Sequence, residues 1–187
     1  MNHDDILQRL RDGNARFVSD QTVGDLRDGA RRAALTGGQS PFAIVLSCAD
    51  SRVIPEIAFD TGLGELFVIR VAGNVANSSS LGSIEYAVAH LATSVIVVLG
   101  HESCGAVTAA LAGGDNGYNI NHLLAHIAPA ATASEDKSVN AVVKKNAQLV
   151  AETLSERSGI VRGALESGAL KVVPAYYELG SGKVEFL

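Results

Sequence analysis

The two cysteines of this chain lie in two short polar clusters whose residue types suit metal chemistry. Residues 48–52 read Cys-Ala-Asp-Ser-Arg, and residues 101–105 read His-Glu-Ser-Cys-Gly. Two thiolates and an imidazole are ligands that zinc prefers, and three protein ligands leave the fourth tetrahedral position for water or substrate. The two clusters therefore predict a catalytic zinc site with Cys48, His101 and Cys104 as ligands and one zinc ion per chain.

The first cluster also holds an acid and a base, Asp50 and Arg52. A carboxylate two residues from a zinc thiolate can accept the proton of a bound water and orient it, and an adjacent guanidinium keeps that carboxylate ionised. The purely structural alternatives are an ordinary surface ion pair on a loop for Asp50 and Arg52, and a buried thiol with a satisfied surface histidine for the second cluster. Because two thiolates cancel the charge of the metal, its water should be less acidic than on an all-histidine site, where the pKa is about 7. Activity should therefore favour alkaline conditions.

Length and composition bound the remaining possibilities. The 187 residues, 47% of them hydrophobic, predict a single domain over 1–187, with an N-terminal helical arm at 1–38 and an α/β core at 39–187. The net charge of −5 argues against a nucleic-acid partner. The start of the chain does not look like a signal peptide and no long apolar stretch follows, so we expect a cytoplasmic protein without a membrane partner. In a reducing compartment, two cysteines favour metal binding or catalysis over a disulfide.

The elements that must position the two clusters follow from the apolar pattern. Four short, continuous apolar runs predict buried strands at residues 42–46, 66–72, 95–99 and 170–174. Three- and four-residue spacing predicts helices at residues 6–17, 81–91 and 139–154. This alternation predicts an α/β fold, with a mostly parallel central β-sheet flanked by helices and an N-terminal helical arm. The arm could pack on its own core or cross a partner subunit.

Each polar cluster begins where a predicted strand ends. In open parallel sheets ligands bind at the carboxyl edge, so residues as far apart as Cys48 and His101, 53 positions, can meet at one ion. Gly105 allows a tight turn into the next helix. Amides at the N-terminus of that helix would help to hold Cys104 as a thiolate.

Several further motifs extend over nearly the whole chain. They are GNARF at 13–17, CADSR at 48–52, GELFVIR at 64–70, AGN at 72–74, SIEYAV at 83–88, GHESCG at 100–105 and YYEL at 176–179. In these motifs the chain resembles a β-class carbonic anhydrase. The resemblance implies zinc bound by Cys48, His101 and Cys104, and reversible hydration of carbon dioxide to bicarbonate and a proton. Zinc-bound hydroxide would be oriented by an Asp50–Arg52 dyad, and Asp50 would be an alternative fourth metal ligand.

The resemblance also implies substrate-binding residues. Gln39 resembles a glutamine of the plant-type branch that donates a hydrogen bond to substrate across a dimer interface. Phe67 and Tyr86 match aromatic positions that line the apolar carbon dioxide cleft of the family, and the Gly73 amide would lie near substrate. Core packing is the alternative reading of the two aromatic residues.

Two further expectations concern regulation and assembly. Val45 stands where bicarbonate-inhibited family members carry tryptophan, and the chain has no tryptophan, which implies the non-allosteric type. Because family members are dimers or multiples of dimers, the resemblance implies a homodimer or a multiple of dimers.

Two other functions compete with carbon dioxide hydration. The first is a carbon disulfide or carbonyl sulfide hydrolase on the same scaffold, since a linear heteroallene accepts hydroxide by the same addition. The second is a non-catalytic zinc or thiol regulatory module, in which the two cysteines only hold metal or form a reversible disulfide. The intact pair Asp50 and Arg52 counts against the second.

Overall fold

The computed structural model describes residues 1–187 and is built around a five-stranded sheet. The strands are β1 Ala43–Ser47, β2 Leu66–Arg70, β3 Val95–His101, β4 Lys171–Tyr177 and β5 Val184–Phe186. They lie in the order β2-β1-β3-β4-β5, and the first four are parallel while β5 pairs antiparallel with β4. The predicted α/β fold with a mostly parallel sheet is confirmed.

The chain forms nine helices, two of which precede the first strand. They are α1 His3–Val18, α2 Gly29–Ala34, α3 Pro55–Ala58, α4 Ser78–Leu91, α5 Gly105–Ala112, α6 Tyr118–Ala125, α7 Ala128–Ala133, α8 Val139–Arg157 and α9 Gly159–Glu166. Short polar side chains cap several of them: Asn77 accepts from the amide of Ser80 at the start of α4, and Ser138 accepts from the amide of Ala141 at the start of α8. A single 3-10 turn, Ala72–Asn74, follows β2.

The two faces of the sheet bury separate cores. In β1, Ile44 and Leu46 face a cluster formed with α4, α8 and α9, whereas Ala43 and Val45 face a cluster formed with α1 and α3. Because both faces are covered, successive residues are all apolar, and the strand reads as a continuous run. A third cluster, formed by α5 to α8, surrounds the two cysteine sulfurs at the carboxyl edge.

Helix α1 packs on the sheet of its own chain. Ile6, Leu7 and Leu10 are buried in the same cluster as Val45 of β1. Of the two arrangements left open for the N-terminal arm, the structure therefore has α1 on its own core. The division into an arm at 1–38 and a core at 39–187 stays a prediction.

Strand bounds differ from the sequence prediction at the carboxyl edge. Strand β3 runs through His101, so this residue ends the strand instead of following it. Strand β4 continues past Pro174 to Tyr177, because Tyr177 pairs with His101 on β3. Strand β5 was not predicted, since three residues give too short a pattern to recognise. None of the helices combines the length and apolar character needed to cross a bilayer.

Candidate metal centre

Three side chains of types that bind metals converge at the carboxyl edge of the sheet. Cys48 directly follows β1 and His101 ends β3, and these two strands are neighbours in the sheet. Ser103 adopts a left-handed conformation (φ 54°), which turns the chain so that Cys104 stands at the start of α5. The sulfurs of Cys48 and Cys104 and a ring nitrogen of His101 lie within 4.8 Å of one another. Residues from two separate clusters therefore form one site.

The donor set fits a zinc ion. The His101 ring is fully buried, and its Nδ1 donates to the Glu102 carbonyl at 2.8 Å, which leaves Nε2 with a free lone pair. This buried Nε2 has no hydrogen-bond partner, and a buried unpaired nitrogen is rare without a ligand. Two ligands of a tetrahedral zinc ion lie roughly 3.5 to 4 Å apart. The three donor atoms lie within 4.8 Å of one another, so a small inward movement would bring them to this separation.

The two thiols influence each other strongly. The Cys104 thiol, as a hydrogen-bond donor, lowers the pKa of Cys48, and the His101 ring acts in the same direction. The Cys48 sulfur and burial raise the pKa of Cys104, while the amides of Ala106 and Val107 at the start of α5 oppose this rise. Burial is the largest single influence on His101 and lowers its pKa, but Cys48, the Glu102 carbonyl and the Asp50 carboxylate together raise it, and the net shift is upward. A bound cation would replace the shared proton, so metal affinity should increase with pH.

Backbone donors and Arg70 fix the turn that carries Cys48. The amide of Gly73 donates to the Cys48 sulfur at 3.3 Å. Arg70 donates from Nε to the Cys48 carbonyl at 3.0 Å and from Nη2 to the Asp50 carbonyl at 2.6 Å. The first ligand is therefore held by contacts to its sulfur and to its main chain.

Asp50 and Arg52 form a bidentate ion pair beside the three ligands. Arg52 Nε lies 2.9 Å from Asp50 Oδ1, and Arg52 Nη2 lies 2.7 Å from Asp50 Oδ2. Asp50 Oδ2 is also 3.8 Å from His101 Nε2, so the carboxylate faces the ligand cluster. Hydrogen bonds from Arg52 hold the pKa of Asp50 far below its usual range, and Asp50 in turn raises the pKa of Arg52. The carboxylate is therefore ionised throughout the neutral and alkaline range.

The residues that the resemblance assigns to substrate binding lie in two different places. Gly73 is at the ligand cluster, through its bond to Cys48. Gln39 is exposed and precedes the amino end of β1, at the opposite edge of the sheet. Phe67 pairs with Ile44, about 10 Å before the carboxyl edge, and its ring centroid is 6.4 Å from that of Tyr86, a residue that is 49% exposed. Within one chain, Gln39, Phe67 and Tyr86 therefore do not join the metal ligands.

Three supporting residues were not predicted from the sequence. Arg70 holds the Cys48 turn, Asn140 Oδ1 accepts from the Ser103 amide at 2.9 Å, and Asn146 donates to the Gly73 carbonyl at 2.9 Å. Asn146 carried a signal, because it is a polar residue in the apolar repeat of the predicted helix at 139–154. Arg70 and Asn140 carried no comparable signal.

Comparisons with known proteins agree on one family. A family model described as Carbonic anhydrase matches residues 43–184, which include all three candidate ligands. A carbonic anhydrase of Mycolicibacterium smegmatis is 42% identical over 94% of this chain and 89% of its own length. Carbonic anhydrase 2 of Mycobacterium tuberculosis (strain H37Rv) is 40% identical over 93% of this chain and 87% of its own length.

Solved structures show the same fold. A β-carbonic anhydrase of Coccomyxa in complex with acetazolamide has a TM-score of 0.77 and 28% identity, over 97% of this chain and 86% of the other. A structure from Sordaria macrospora, one of two β-carbonic anhydrases described as tetrameric, also has a TM-score of 0.77, over 98% of this chain and 97% of the other. At 22% identity, the second comparison concerns the fold alone.

Proposed function

We propose, from the premise that this chain belongs to the β-class carbonic anhydrase family, that it uses zinc to hydrate carbon dioxide reversibly to bicarbonate and a proton. One observation carries the proposal. The donor atoms of Cys48, His101 and Cys104 lie within 4.8 Å of one another, and the carboxylate of Asp50 is 3.8 Å from the free nitrogen of His101.

Cys48, His101 and Cys104 would hold the zinc ion. When bound, zinc supplies Lewis-acid chemistry that makes a water molecule nucleophilic near neutral pH. The two thiolates weaken this effect relative to an all-histidine site, so the rate should rise into the alkaline range.

Asp50 orients the attacking water. Its Oδ2 keeps a lone pair free beside the ligand cluster, while Arg52 fixes both carboxylate oxygens. Because Arg52 keeps the pKa of Asp50 so low, this carboxylate is a poor store for a proton. We infer that Asp50 accepts a hydrogen bond and directs the water, and that the released proton passes to solvent. The same free lone pair of Oδ2 would let Asp50 serve as an alternative fourth metal ligand.

The substrate-binding residues require a second copy of the chain. Gly73 can contribute from the same chain, but Gln39, Phe67 and Tyr86 lie apart from the ligands of their own chain. The exposed face of Tyr86 beside Phe67 is available to a partner. We therefore propose a homodimer or a multiple of dimers. A cytoplasmic location would keep both thiols reduced.

The test combines zinc content with stopped-flow carbon dioxide hydration at pH 8 to 9. The wild type should bind one zinc per chain and hydrate carbon dioxide, whereas Cys104→Ser should lose zinc and activity together. Asp50→Ala and Arg52→Ala should keep zinc and lose rate by about 10- to 100-fold. Asp4→Ala, which removes the surface pair with Lys171, is the matched control and should keep both.

Other outcomes would favour the competing functions. Zinc-loaded wild type that hydrolyses carbonyl sulfide or carbon disulfide without hydrating carbon dioxide would indicate the alternative hydrolase. Zinc binding without turnover of any of these substrates would indicate a regulatory module. Full rate in zinc-loaded Asp50→Ala would contradict the orienting role of the carboxylate.

A further inference from the structure

Helix α8 places one buried amide directly behind the turn that supports Cys48. Asn146 is only 1% exposed, and its Nδ2 donates to the Gly73 carbonyl at 2.9 Å. We propose that Asn146 is a positioning residue that acts on the metal ligand Cys48 through Gly73. This inference rests on the proposed zinc function and assigns a residue that does not touch metal or substrate.

The contact works through the backbone on both sides of one α-carbon. The Gly73 amide donates to the Cys48 sulfur at 3.3 Å, and the Gly73 carbonyl accepts from Asn146. Gly73 itself has a left-handed backbone (φ 67°), so it is a flexible residue that needs external contacts to hold one conformation. The bond from Asn146 therefore fixes the carbonyl of Gly73, and by holding the backbone of this residue it keeps the Gly73 amide directed at the Cys48 sulfur.

Packing alone does not explain an asparagine at this position. Its neighbours on the helix, Val142, Val143, Ala147 and Val150, are buried and apolar. Asparagine is a poorer helix former than most residues, and burying its amide is unfavourable unless it is hydrogen-bonded. The bond to Gly73 accounts for the residue.

The expected effect is on the metal. An N–H group that donates to a metal thiolate reduces the electron density that the sulfur gives to the metal. It also fixes the orientation of the sulfur. Loss of such outer-sphere contacts typically lowers metal affinity or activity by about 10- to 100-fold. Removing the amide of Asn146 should therefore weaken zinc binding even though every ligand is still present.

The experiment compares three variants on one helix. Asn146→Leu removes the donor at similar size. Asn146→Gln keeps an amide, for which a neighbouring cavity of about 140 Å³ leaves room. Thr153→Val is the matched control, because Thr153 borders the same cavity but its hydroxyl bonds only within α8. Zinc affinity is measured by chelator competition, and the Cys48 environment by the thiolate-to-metal charge-transfer band of the cobalt(II) protein.

Asn146→Leu should raise the zinc dissociation constant about 10-fold or more and shift the charge-transfer band. Asn146→Gln should restore part of both, and Thr153→Val should match the wild type. Wild-type affinity and spectrum in Asn146→Leu would overturn this inference alone. A wild type that binds no zinc would overturn the proposed function together with it. If Asn146→Leu does not fold, Asn146→Ala is read against the same outcomes, because alanine is smaller than asparagine and has no side-chain donor.

Discussion

Replacing Gly73 with alanine tests the tight fit of the turn that supports Cys48. A new Cβ at Gly73 would lie 2.7 Å from Ile127 Cδ1, in a backbone conformation (φ 67°) that disfavours side chains. The left-handed conformation costs about 1–2 kcal/mol for a non-glycine residue. Overpacking of a filled core costs about 1–3 kcal/mol more. Gly73→Ala should therefore lower the free energy of unfolding by about 2–5 kcal/mol.

Gly168 provides the matched control, because it follows the C-cap of α9 with a similar φ of 72° and a Cβ there would meet nothing within 4 Å. Urea unfolding of the metal-free proteins should show that Gly168→Ala lowers the free energy of unfolding by the conformational part alone, about 1–2 kcal/mol. Ile127→Val removes the clashing Cδ1 atom, so Gly73→Ala should be less destabilising in that background. Equal losses for Gly73→Ala and Gly168→Ala, with no relief from Ile127→Val, would refute the steric reasoning.

Two other predictions concern the N-terminal arm and the subunit contact. The fully buried Asp60 carboxylate pairs with Arg16 at 2.7 Å, and although burial alone raises its pKa, the bonds from Arg16 and two backbone amides lower it overall. The contribution of Asp60 to the free energy of unfolding is thus present above the unfolded pKa near 3.9 and is lost as pH falls through the lower folded pKa. Asp60→Asn should therefore lower the free energy of unfolding by about 3 kcal/mol at pH 7, and the urea midpoint of this variant should depend less on acid pH. If Gln39 acts on the partner's metal, mixing and refolding Gln39→Ala and Arg52→Ala chains should restore about a quarter of the wild-type sites. About half of the dimers are then mixed, and each mixed dimer has one intact site of its two. Activity no higher than the mean of the two variants would place Gln39 outside the partner's site.

The meeting of the candidate metal ligands could be predicted because it depends on strand topology. Cys48 and His101 each stand at the end of an apolar run, and parallel strands bring their carboxyl ends to one edge. The prediction needed only the run lengths and the residue types that follow them. An error of two residues in the end of β3 did not affect it, since the edge is the same.

Other features depend on contacts that no local pattern encodes. The bond between Asn146 and Gly73 joins residues 73 positions apart, and its direction depends on how α8 packs over the turn. Strand β5 depends on pairing with β4, because three residues have no periodicity of their own. The proposed role of Gln39 depends on how a second chain packs, which one sequence does not specify.

The neighbouring positions of β1 and β3 also set the order of events during folding. Parallel strands separated by a long crossover pair late, because loop-closure entropy is lost before their contacts form. His101 and Cys104 come together within one turn, but Cys48 joins them only after β1 has paired with β3. If the three residues bind zinc as proposed, a newly made chain would have no complete site for the ion until the sheet had assembled.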